Sequence, residues 1–196
     1  MESAPANLSE TKPPGRISLI RGCMFSGKSL LLVQRVQQAR EAGRQVAVFK
    51  HASDDRYGRS QIVTHNGQRT DAVPVASAGR VTELAGNADI VVIDEAQFFD
   101  GEIVNVCRDL ASRGCTVIVA GLDRDSWGQP FGPMPALAAA ADEITQTRAT
   151  CARCGRAAEF TQRLTSVTDR TMIGGPESYE PRCEQCFEAP PLALRR

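Results

Sequence analysis

The sequence predicts an α/β domain, a parallel sheet flanked by helices, followed by a small metal-stapled unit. Three observations predict it. Short aliphatic and β-branched runs recur at 17–20, 46–49, 90–93 and 117–120, and they are continuous rather than alternating, as suits strands buried on both faces. Helical patterns lie between them, the clearest over 28–42 with Leu32, Val36 and Ala39 on one face and Gly43 as its stop, a second over 102–112 ending near Gly114. From Cys151 the aliphatic runs cease and Cys, Arg, Thr, Gly and Pro take over. A segment of that size and composition cannot hold itself by core burial and calls for a staple.

Taken in order, residues 1–15 carry Pro5, Pro13 and Pro14 among small polar residues and read as a loose tail. The α/β domain spans 16–150, its strand and helix alternation implying right-handed crossovers. Within it 51–71 is polar and glycine-containing, an exposed loop or hairpin excursion, and His51 and His65 read as loop residues without a catalytic part. The stapled unit spans 151–190, and 191–196 is a second tail.

Composition narrows the function. With 196 residues, 42% of them apolar and 23% charged, the chain is sized for one core with an appendage. Its formal net charge of +0 removes the basic field that a protein living on nucleic acid or anionic membrane would present. No apolar stretch is long enough for a membrane span and the first residues form no secretory leader, so the expected location is cytoplasmic. Lysine occurs only at Lys12, Lys28 and Lys50, which marks Lys28 inside a motif.

That motif is Gly22-Cys23-Met24-Phe25-Ser26-Gly27-Lys28-Ser29, a match to G-x-x-x-x-G-K-[ST] between a strand and a helix. Its glycines let backbone N–H groups turn inward around phosphates, Lys28 reaches the terminal phosphates, and Ser29 can ligate Mg2+. The sheet is accordingly expected to be of the P-loop, RecA-like kind. The run 90–93 ends in Asp94 and Glu95, at the carboxyl end of a strand where such sheets bind ligands. Asp94 can hold hydrated Mg2+, and Glu95 can act as a base or orient a nucleophile. Cys151-x-x-Cys154 and Cys183-x-x-Cys186 supply four thiolates, the donor set of a closed tetrahedral Zn2+ site with no position left for substrate. Its metal is therefore expected to be structural, clamping the long segment 155–182 at its base so that it can fold over a ligand. Cys23, Cys107 and Cys115 read as small buried thiols.

These motifs together resemble a family. GCMFSGKS (22–29), DEAQFF (94–99), GLDRDSWGQPFGPMPAL (121–137), CARCGRAAEFTQRL (151–164) and IGGPESYEPRCEQC (173–186) are similar to the thymidine kinases of the cellular, zinc-containing type, over essentially 16–186. The resemblance implies ATP-dependent phosphorylation of the thymidine 5′-hydroxyl, with Glu95 as catalytic base and Lys28, Ser29, Gln97 and Arg163 at the phosphates. It implies that Met24, Phe98, Leu122, Phe131, Thr161, Gly174 and Tyr179 enclose thymine and sugar, the base being read by the backbone of a lasso-like loop. A homotetramer and feedback binding of thymidine triphosphate are implied as well. The sequence departs from the family at Ser126-Trp127, where an aromatic followed by a basic residue is usual. Trp127 either replaces the aromatic wall through a backbone shift or covers the outer surface. An alternative reading of the P-loop and cysteines is a zinc-ribbon ATPase acting on nucleic acid, and the zero net charge counts against it.

Overall fold

The unbroken apolar runs become the middle of one sheet. A computed structural model of the protein describes residues 15–54, 58, 60–64, 66–166 and 172–191; His65 and nearly all of the two expected tails lie outside that range. In chain order the elements are β1 (Ile17–Arg21), α1 (Lys28–Glu41), β2 (Val46–His51), β3 (Gln61–Val63), β4 (Arg69–Asp71), β5 (Val73–Val75), α2 (Ala78–Ala85), β6 (Ile90–Asp94), α3 (Glu102–Ser112), β7 (Thr116–Gly121), α4 (Met134–Ala140) and β8 (Glu143–Gln146). The short strands β9 (Ala149–Thr150), β10 (Ala157–Ala158), β11 (Phe160–Arg163) and β12 (Tyr179–Arg182) follow. Six strands pair in the order β5-β2-β6-β7-β1-β8, all of them parallel.

Side chains alternate between two cores, one on each face. Val117 and Val119 of β7 join Leu19, Phe49, Val81, Ile103 and Leu137 under α2, α3 and α4, whereas Ile118 and Ala120 join Ile20, Val48 and Val92 under α1. Burial on both faces is why these strands show no polar alternation. Helix α1 buries Leu32, Val33 and Val36, and Ala39 on the expected face is half-buried where the exposed residues 40–45 follow it. Helix α3 runs over 102–112 as its periodicity indicates.

The excursion after β2 is a hairpin, β3 against β4. Its beginning is not an exposed loop: Lys50, His51 and Asp54 are all buried. The cause is Lys50, 1% exposed, whose ammonium needs partners inside the protein. It pairs with Asp54 at 3.2 Å and donates to the carbonyls of Gly58 (3.1 Å) and Gln61 (3.2 Å), drawing the hairpin's base onto the end of β2. His51 is thereby corrected from a loop residue to the buried last residue of a strand.

Candidate active site

The carboxyl ends of β1 and β6 open into a pocket. The chain leaves β1 through the P-loop and enters α1 at Gly27, whose φ of 87° lies in the left-handed region that glycine adopts without cost. The loop is held from within. The Ser26 hydroxyl donates to the Cys23 carbonyl at 2.7 Å and also lies 2.7 Å from Thr147 Oγ1, and Lys28 Nζ donates to the same Cys23 carbonyl at 2.7 Å. Burial pulls the Lys28 ammonium below its ordinary pKa, while the charges of Glu95 and Asp94 pull it back up. The pocket is lined by residues 24–30, by Asp94 and Glu95, and by Asp54, Gln61, Thr64 and Asn66 from the hairpin region.

Asp94 is 5% exposed and its carboxyl is pushed up to about 7, by burial first and then by the neighbouring Glu95 charge. A carboxylate this costly to charge alone, lining the same pocket as Ser29, suits a bound cation. Glu95 has φ 55° and ψ 41°, left-handed for a residue with a side chain, and starts the single turn Ala96–Phe98. Gln97 stands behind it: its amide NH2 donates to Glu95 Oε2, and its Oε1 accepts from the Leu122 backbone at 2.9 Å. Gly132 comes so close to Gln97 that a Cβ there would lie 2.2 Å from the Gln97 carbonyl oxygen, so this turn requires glycine.

A second, narrower cleft continues from the first. Met24, Glu95 and Leu122 line both, so Glu95 sits at the junction. Beyond it the walls are Phe98 and Phe131, edge to face at 5.7 Å, with Thr161, Met172, Ile173, Gly174 and Tyr179 from the segment after β10. Tyr179 donates its hydroxyl to the Met172 carbonyl at 2.5 Å, closing that segment on itself. Gly175 reaches the first pocket and Gly174 the second, so one loop covers both.

The family model described as Thymidine kinase matches residues 15–187. The chain belongs to the thymidine kinase family. It is 41% identical over 182 residues to "Thymidine kinase" of Bacteroides fragilis (strain YCH46), covering 93% of this chain and 92% of that protein. It is 46% identical over 176 residues to "Thymidine kinase" of Rhodothermus sp. (strain ITI 518), covering 90% and 83%. Among solved structures the "Crystal structure of flagellar accessory protein FlaH from Methanocaldococcus jannaschii" superposes with TM-score 0.51 at 11% identity, over 74% of this chain and 76% of that one, a likeness of fold alone. This thymidine kinase is thus a phosphotransferase, which sets aside the nucleic-acid ATPase alternative.

In the kinase the four motif cysteines converge. Cys151 and Cys154 lie between β9 and β10, Cys183 and Cys186 just after β12, and their sulfur atoms all fall within 4.8 Å of one another. A tetrahedral Zn2+ with bonds of about 2.3 Å holds its sulfurs about 3.8 Å apart, so the donor set fits one such ion once the wider separations close to that distance. Hydrogen bonds from Arg156, backbone and side chain, hold the Cys154 thiol down at about 6, whereas desolvation pushes Cys186 up to about 12. The cluster is not remote from the phosphates. P-loop Cys23 packs in the same apolar group as Cys151, Ala158, Cys183 and Cys186, its thiol donates to the Ala158 carbonyl at 3.4 Å, and Met24 N–H donates to Thr161 Oγ1 at 3.0 Å.

All seven residues expected around the nucleoside line the second cleft. Of those expected at the phosphates, Met24 to Ser29 and Asp94 line the first pocket, while Gly22 and Cys23 do not. Gln97 and Arg163 line neither pocket. Arg163, on β11, donates to Thr165 Oγ1 at 3.2 Å and contacts Met172 Sδ at 3.0 Å, which places it inside the covering loop. Asp54, Thr64 and Asn66 line the first pocket without having been singled out. Their only signal was an acidic, polar run without apolar periodicity. Trp127 is buried and lines neither pocket, so it does not replace the aromatic wall; Ser126 occupies that wall instead.

Proposed function

We propose that this thymidine kinase transfers the γ-phosphoryl group of ATP to thymidine with Glu95 as general base. The observation that supports the reading is the position of Glu95, which lines both the pocket over the P-loop and the cleft walled by Phe98, Phe131 and Leu122 beside it. The P-loop amides and Lys28 hold the phosphates. Ser29 and Asp94 would hold Mg2+, which when bound offsets charge on the phosphates. The thymidine 5′-hydroxyl gives its proton to the Glu95 carboxylate as its oxygen bonds to the γ-phosphorus, and the bond to the bridging oxygen breaks to release ADP. Gln97, fixed by the Leu122 backbone, orients Glu95 for that transfer. Zinc would be held by Cys151, Cys154, Cys183 and Cys186 and is structural, since the protein fills all four positions.

Replacing Glu95 by Gln keeps the shape and removes the base. Turnover of thymidine is expected to fall about 10²- to 10⁴-fold, with ADP binding retained in calorimetry. Turnover within a few-fold of the parent would assign the base elsewhere. Two further parts of the reading rest on family membership: a homotetramer, tested by sedimentation, and feedback binding of thymidine triphosphate, tested by inhibition. A cytoplasmic location is part of the same reading; among the described residues no helix is long and apolar enough to cross a membrane.

A further inference from the structure

We propose that Ser126 is a specificity-determining residue whose hydroxyl hydrogen-bonds the bound pyrimidine nucleoside at an atom away from the reacting 5′-hydroxyl. This rests on the thymidine kinase reading of the cleft and deepens it. Ser126 is 7% exposed, lines the nucleoside cleft and does not line the phosphate pocket. Its Oγ is shut off from solvent and has no hydrogen-bond partner among the described residues. A buried hydroxyl without a partner costs free energy, and proteins keep few of them. A ligand bringing a polar atom to that point removes the cost.

The turn that carries Ser126 gives it little freedom to find a partner elsewhere. The Asp125 carboxylate accepts from the backbone N–H groups of Trp127 and Gln129, both at 2.9 Å. Asp125 N–H donates to the Gln129 carbonyl at 2.9 Å and Gly128 N–H to the Asp125 carbonyl at 3.0 Å, while Arg124 and Pro130 form a bridge across the turn. The cleft's other polar side chains are engaged: Glu95 by the Gln97 amide, Arg124 by the Gly128 carbonyl, Asp125 by the backbone of its own turn, Thr161 by Met24 N–H and Tyr179 by the Met172 carbonyl. A serine hydroxyl can donate or accept, which matches the ring carbonyls, the ring N–H and the 3′-hydroxyl of an uncharged nucleoside.

The test is Ser126→Ala, which removes one oxygen, assayed with thymidine and ATP. The KM for thymidine should rise about three- to tenfold, the effect of one lost neutral hydrogen bond. The kcat should stay within twofold, the KM for ATP should not move, and the Tm should not fall, because the parent loses only an unsatisfied group. Calorimetric binding of thymidine without ATP should weaken by the same factor. An unchanged thymidine KM overturns the proposal; so does a fall in Tm with both KM values moving together, which is the mark of a structural role. Failure of the wild-type protein to phosphorylate thymidine would instead overturn the reading of the site itself.

Discussion

Glu95 sits in a backbone conformation that a side chain makes costly. With φ 55° and ψ 41° it is one of two non-glycine residues at positive φ among those described, the other being Phe25 in the P-loop. Left-handed backbone costs an ordinary residue roughly 1 kcal/mol or more, and such positions cluster where function over-determines them. The turn at Glu95 bends the chain off the end of β6 so that the carboxylate faces the junction of the two pockets and Gln97 falls in behind it. Removing the side chain in two ways separates geometry from chemistry. Both Glu95→Ala and Glu95→Gly should lose turnover, but the glycine variant should be the more stable by about 1 kcal/mol in urea unfolding, because only alanine keeps the left-handed cost. Equal stability of the two would mean that the turn stores no strain.

The hairpins after β8 buttress the P-loop as well as lining the second cleft. The four cluster cysteines flank β9, β10 and β12, and the same group of side chains takes in Cys23, while Thr161 on β11 holds the backbone of Met24. Stripping zinc with a chelator should therefore lower the Tm by about 5 °C or more, since metal binding at a site without a large core is folding free energy. It should also weaken ADP binding in calorimetry together with thymidine binding. Unchanged ADP affinity in the chelated protein would show that the P-loop stands without its buttress. At this scale the sequence was informative where elements are buried on both sides and silent where they are not. The runs 17–20, 46–49, 90–93 and 117–120 map onto the four central strands β1, β2, β6 and β7. The edge strands β5 and β8 carried no such run, because two of the three residues of Val73–Val75 are exposed and none of Glu143–Gln146 is buried. Helix α4 is mostly alanine and offered no marked periodicity, whereas α2 buries Ala78, Val81 and Ala85 on one face but is only eight residues long, with Gly79 near its start.

In the whole molecule, local motifs carried the P-loop, the acidic pair and the cysteines, whereas the contacts that join distant segments were not legible. Gln97 with the Leu122 backbone, Met24 N–H with Thr161 and the Cys23 thiol with the Ala158 carbonyl all depend on which segments meet in space. His51 is the plainest case, a polar residue at the end of an apolar run that the fold buries at the edge of the site. Its ring lies edge-on to Phe99 at 4.7 Å and 5.9 Å from Phe98. Burial pulls its pKa below 6.5, against the opposing pull of a hydrogen bond to the Ala76 backbone and the charges of Glu95 and Asp100. The unfolded chain therefore takes up a proton near pH 6.5 that the folded protein refuses until a lower pH. Between those two values the unfolded state binds more protons, so stability falls as pH falls through that window and is unaffected by this residue above it. The net charge of +0 at pH 7 keeps general charge repulsion small near neutrality. Urea midpoints measured from pH 7.5 to 5.5 should then drop more steeply for the parent than for His51→Gln, with the other titrating groups common to both proteins. Parallel pH profiles would mean that His51 is protonated in the folded protein as readily as in the unfolded chain, and that burial at the end of β2 does not keep its ring neutral.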